Sequence, residues 1–173
     1  LDGEITHEPG EFAGIDDAVA AIRAAIARCD MITVHGDYDV DGMCATAILV
    51  SALRRAGAEC DWLIPDRLGD GYGLSPGSVE EIVRRGSGLV ITADCGIGSV
   101  SEVDALLAAG IEVVVTDHHS PGERLPACPI VHPRVSGYPF EGLCGAAVAH
   151  KLVVALERDS GVADGAERDL DLV

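Results

Sequence analysis

The sequence predicts an α/β fold, a mostly parallel sheet of about five strands with helices on both faces. Three observations predict it. Segments with apolar residues at helical spacing alternate with short apolar runs from residue 15 to residue 157. The runs "MITVH", "GLVITADCG" and "IEVVVTDHH" are continuously apolar rather than alternating, as strands covered on both faces are. Acidic residues and histidines recur where such runs end.

The elements follow in order. Ile15 to Arg28 has the helical period, with Asp16 and Asp17 in the first turn where the helix dipole favours them. "MITVH" is a buried strand, and a helix from Gly42 to Ala56 stops at Gly57. "CDWLIP" is a second strand, closed by Pro65. The Gly-rich loop "DRLGDGYGLSP" leads to Ser75-Pro76, which opens a helix through Arg85. "GLVITADCG" is a third strand, Ser101 to Ala109 a helix, and "IEVVVTDHH" a fourth strand. "PIVHP" is a short fifth strand, and Leu143 to Glu157 a final amphipathic helix before the polar stretch "RDSGVADGAERD".

Composition narrows the function classes. Hydrophobic residues make up 48% of the 173 residues but aromatics only 3%, so small aliphatic side chains must fill the core. No apolar run reaches the roughly 18 residues a membrane span needs, and "LDGEITHEPGEF" lacks signal-peptide features, so a cytoplasmic location is expected. The six cysteines form no C-x-x-C and are expected to be buried small hydrophobes in a reducing compartment. A formal charge of −17, with Lys151 the only lysine, argues against a broad non-specific grip on nucleic acid.

The chemistry concentrates in "VHGDYDVDGMCATAIL", where Asp37, Asp39 and Asp41 stand at alternate positions between strand and helix. Three like charges so close repel one another, and burying them unpaired is costly. A divalent ion removes that cost, because hard cations take oxygen ligands. Asp94 ends the third strand, and Asp117, His118 and His119 end the fourth. In open α/β sheets the carboxyl ends of the strands form the ligand crevice, so these distant stretches converge on one edge. Asp37, Asp39, Asp41, Asp94 and His118 can there enclose two ions, Mn²⁺ or Mg²⁺, suited to phosphoester hydrolysis. Asp117 is expected to orient a ligand and His119 to reach the substrate phosphate. "ERLP" and "LCGAAVAHK" are expected to border the crevice, with Gly145 near the phosphate and Arg134 or Lys151 holding the anion. A single Asp at a strand end is more often a helix cap, and "DHH" alone is a weak motif. The triple-Asp loop with two further acid sites outweighs that simpler reading.

"HGDYDVDG", "TADCGI", "VTDHHSPGERLP" and "LCGAAVAHKL" resemble the ordered motifs of the DHH phosphoesterase superfamily, and within it the RecJ branch of 5′ single-strand exonucleases. The resemblance covers nearly the whole chain, "GYGLSP" included. It implies metal roles for Asp37, Asp39, Asp41, Asp94 and His118, a phosphate contact for His119, two Mn²⁺ or Mg²⁺ ions, and single-stranded DNA or short oligonucleotides as substrate. His35 matches a ligand in related pyrophosphatases. His132 and Ala147 depart from the Asn and Gly common in the branch. A DHH domain is expected over residues 1–157, with a polar tail over 158–173 leading to a further segment. The last acidic ligand of the branch is expected in that segment, so residues 1–173 alone should bind one ion poorly. A phosphodiesterase for nano-RNA or cyclic dinucleotides, or a non-catalytic replication-fork relative, are the alternative readings.

Overall fold

The computed structural model describes residues 7–65, 73–158 and 166–173. Helix α1 (Ile15–Arg28) buries Ile15, Ala18, Val19, Ile22 and Ala25, the stripe its period dictates, and ends at Cys29 in the left-handed conformation. Strand β1 (Ile32–Gly36) follows, then α2 (Val40–Arg55), β2 (Cys60–Leu63), α3 (Pro76–Arg85), β3 (Leu89–Ala93), α4 (Val100–Ala108), β4 (Glu112–Thr116), β5 (Ile130–Val131) and α5 (Gly145–Glu157). Short 3₁₀ helices cover Pro9–Glu11 and Ala166–Leu172.

The five strands form one sheet in the order β2-β1-β3-β4-β5. All four neighbouring pairs are parallel. The register sets Val34 beside Ile91 and Ile91 beside Val114. These three share a buried cluster with side chains of α1, α2 and α5. Val90, Val113 and Val115 point to the other face and pack with Ile82 of α3 and Val103 and Leu106 of α4. Both faces are thus covered, which is why the strands read as continuous apolar runs. Among the described residues no helix is long and apolar enough to cross a membrane.

Several boundaries differ from the sequence expectation. Helix α2 begins at Val40 rather than Gly42, because Asp39 caps it by accepting the Gly42 N–H at 2.9 Å. Helix α5 begins at Gly145 rather than Leu143. Strand β5 has two residues, since the chain after Val131 turns through Pro133. The cysteines are not uniformly buried. Cys95 is, whereas Cys29 is exposed at the end of α1 and the other four lie between. Chain packing also continues past residue 157: Ala166–Leu172 lies against α2 and α5, and Asp169 is buried against Arg55. Most of the "DRLGDGYGLSP" loop, residues 66–72, falls outside the described residues.

Candidate metal centre

Asp37, Asp39, Asp41, Asp94 and Asp117 sit just past the carboxyl ends of β1, β3 and β4 or in the first turn of α2. Two close approaches bring the segments together. A Cβ on Gly42 would come within 2.6 Å of the Asp37 Cβ, and one on Gly145 would overlap the Asp94 carboxylate. Only glycine lets α2 and α5 crowd the strand ends this tightly. Asp94 itself is left-handed (φ 63°), a conformation Asp tolerates better than most side chains, and it ends β3 with a sharp change of direction.

Asp94, His118 and His119 offer ligand atoms within 4.8 Å of one another, as do Asp37, Asp39 and Asp94. Asp94 belongs to both groups. One shared carboxylate between two sets of donors suits two adjacent cations. The His118 Nε2 lies 3.1 Å from Asp94 Oδ1 and 3.6 Å from Asp41 Oδ2. Carboxylate oxygens with one or two imidazoles favour Mn²⁺- or Mg²⁺-type ions over softer metals.

The electrostatics point the same way. Asp94 is 1% exposed, and burial, followed by the charges of Asp41, Asp39, Asp117 and Asp37, pushes its pKa up to about 8. Burial also raises Asp37, an effect the nearby Tyr38 amide offsets in part. Neither Asp37 oxygen finds a donor in hydrogen-bond geometry among the described residues. Buried carboxyl oxygens of this kind carry a desolvation cost that a bound cation removes. The residues present therefore fit the ions the motifs imply.

The remaining candidates hold the cluster in place. Asp41 accepts the N–H groups of Gly145 and Ala146, each at 2.7 Å, and so caps α5 from a different helix. Gly145 consequently lies against the acids with its N–H already engaged. Asp117 accepts the backbone N–H of His118 (2.7 Å), of His119 (3.0 Å) and of Ile97 (2.9 Å). It also pairs with His119 Nδ1 at 2.8 Å. The structure thus sets His119 beside Asp94 as well as facing outward, where the sequence assigned it to phosphate alone. His35 is buried, bonded to Ser78 Oγ at 3.0 Å and close to Cys95, and belongs to neither donor group. Arg134 is half exposed and lies 3.7 Å from Glu141. Lys151 is drawn elsewhere, donating to the His7 carbonyl at 2.7 Å.

Sequence reasoning missed two features. Cys144 caps α5 by accepting the Ala147 N–H at 3.4 Å, a role no cysteine pattern announces. His132 bonds to the His119 carbonyl at 2.7 Å. Its place just after a short strand beside the DHH strand was the available signal.

A family model described as the DHH family, N-terminal domain, matches residues 31–171. The chain belongs to the DHH family. Among curated proteins this DHH chain is 40% identical over 153 residues to the single-stranded-DNA-specific exonuclease RecJ of Bacillus subtilis, aligning 87% of the chain with 20% of that protein. It is 45% identical over 149 residues to RecJ of Dickeya dadantii, covering 84% of the chain and 26% of the relative. The chain therefore spans about a fifth to a quarter of the length of these relatives. A crystal structure of exonuclease RecJ bound to manganese superposes with a TM-score of 0.81 at 40% identity, covering 91% of this DHH chain and 42% of that one. RecJ from Thermus thermophilus in complex with Mn²⁺ gives 0.72 at 36% identity, over 91% and 24% of the two chains.

Proposed function

We propose that this DHH domain works in a RecJ-type exonuclease that removes nucleotides from the 5′ end of single-stranded DNA in repair and recombination. The single observation that supports it most is the pair of donor groups sharing Asp94. Asp37, Asp39 and Asp94 hold one ion in this reading, Asp94 and His118 the other, with Asp41 alongside. Two divalent ions supply the positive charge that offsets a phosphoryl group and the acidity that activates water. Asp117 keeps His119 oriented through Nδ1, and the ring meets the substrate phosphate. Gly145 lets α5 approach, and Arg134 contacts the strand from the rim. The domain is read as continuing past residue 157, since Ala166–Leu172 packs on α2 and α5. A cytoplasmic setting is supported by six free thiols.

The RecJ relatives and their Mn²⁺ complexes favour this reading over a nano-RNA or cyclic-dinucleotide phosphodiesterase. It is tested by a chimera in which residues 31–171 replace the aligned segment of the Bacillus subtilis relative. The chimera should release nucleotides from single-stranded DNA when Mn²⁺ is present, stop with chelator, and start at a 5′ label. A folded chimera that leaves single-stranded DNA intact, or that cuts it in chelator, would overturn the proposal.

A further inference from the structure

His132 follows β5, is 0% exposed, and bonds in two directions. Its Nδ1 accepts the backbone N–H groups of Arg134 at 3.2 Å and Val135 at 3.3 Å. A nitrogen that accepts from main-chain donors carries no proton, so in the neutral ring the proton resides on Nε2. Nε2 then donates to the His119 carbonyl at 2.7 Å. The neighbouring turn thus fixes the tautomer, and the tautomer fixes what the ring can hold.

What it holds is the segment that carries the two histidines. Asp117 secures His119 at its N–H and its ring, both on Oδ1, and secures His118 at its N–H. Those bonds anchor the segment from the strand side. The His119 carbonyl marks the departing side, and His132 is what engages it. A rotation of the peptide after His119 would break this bond and let the imidazole swing relative to Asp94.

We infer that His132 is a positioning residue of this site, a neutral imidazole that straps the main chain of His119 from β5 and so sets where both histidines stand. The inference rests on the proposed two-ion site, in which Asp94 and His118 hold an ion and the His119 ring stands beside them. It assigns His132 no contact with an ion or a substrate. Groups that orient the donors of a metal site typically change affinity by about 10–100-fold when removed.

Two substitutions separate the two bonds. His132→Asn places a carbonyl where Nδ1 stands and keeps the turn, but its side chain ends short of His119. His132→Gln carries an amide nitrogen about as far out as Nε2 and restores the strap. Mn²⁺ binding to the 173-residue chain is measured by calorimetry, with thermal unfolding of the metal-free proteins alongside. The expected result is that H132N, folded, binds Mn²⁺ about tenfold or more weakly, while H132Q binds as the unsubstituted chain does. Unchanged affinity in H132N would overturn the inference. So would an H132Q as weak as H132N, since restoring the bond to the His119 carbonyl would then not restore affinity. Nitrogen-15 spectra of the unsubstituted chain give a check that no folding defect can obscure: a neutral His132 protonated at Nε2 is expected, and a proton on Nδ1 overturns the strap. An unsubstituted chain that binds no Mn²⁺ would end the metal-site reading, and the tautomer would still decide the geometry proposed for His132.

Discussion

The two ends of the sheet treat acidic residues in opposite ways. Near the amino ends of the strands, carboxylates meet guanidinium groups: Asp61 lies 2.8 Å from Arg85, and Asp30 and Glu112 lie 2.7 and 3.1 Å from Arg28. Thr33 ties Asp61 to Ser87 in the same network. At the carboxyl ends, Asp39, Asp41 and Asp117 are met by backbone N–H groups, and Asp94 by imidazoles. Backbone amides orient a carboxylate without cancelling its charge. The first arrangement pairs its charges within the protein, and the second leaves its carboxylates open to the cations proposed above. In a chain of net charge −17, the proposed ions would do at the carboxyl ends what arginines do at the amino ends.

The largest effect that could break this comparison lies at Asp94. Asp94→Asn should abolish the rise in melting temperature that Mn²⁺ gives the unsubstituted chain, since both donor groups lose their common member. The pH dependence follows from the same group. Its pKa is about 8 when folded against an ordinary 3.8, so the folded state holds the proton over the intervening range. Stability from this group is therefore full below about pH 4 and falls as pH rises toward 8, at about 1.4 kcal/mol per unit of pKa difference as an upper bound. Denaturant melts of the metal-free chain across that range should show the decline, and D94N should lack it. Superimposable pH curves for the two proteins would remove Asp94 from the charged cluster.

An intermediate effect is expected where arginine is the internal cation. Arg55 lies 2.9 Å from Glu157 and 2.7 Å from Asp169, both 7% exposed, and so ties the Ala166–Leu172 helix to α2 and α5. Arg55→Met leaves two buried carboxylates without their cation and should cost about 3–5 kcal/mol in urea denaturation. The loss should be the same with and without Mn²⁺, because no donor group of the acid cluster is touched. A cost that Mn²⁺ erases would show that the two ends are coupled.

The smallest effect belongs to Arg85, whose partners Asp61 and Glu81 are about one-third exposed. Arg85→Met should cost less than about 1 kcal/mol, and the cost should shrink as salt is added. It should also let Glu81, which Arg85 and then Arg84 hold below its ordinary pKa, titrate nearer the usual value. A salt-independent cost of several kcal/mol would mean that the amino-end network is far more buried in effect than its exposure indicates.

The sequence alone determined the fold class and the edge on which the chemistry gathers. Continuous apolar runs such as "LVITA" admit only strands buried on both faces, and parallel crossovers then deliver every strand end to one side. Asp37, Asp39, Asp41, Asp94, Asp117, His118 and His119 were legible for that reason: each lies within a few residues of an apolar run. What the sequence could not determine is which acid faces which donor, because that depends on contacts across more than a hundred residues. Asp41 reads as one more ligand of a loop, yet its oxygens hold the start of α5, 104 residues away. Lys151 reads as a cation for an anion site, yet α5 turns it toward His7. His132 reads as a departure from a motif, and only the approach of β5 to β4 sets its ring under the His119 carbonyl. Local pattern fixes periodicity and burial because these act between near neighbours in the chain. Partner choice among charged and polar groups acts through distances of a few ångströms, which come into being only when the sheet is assembled.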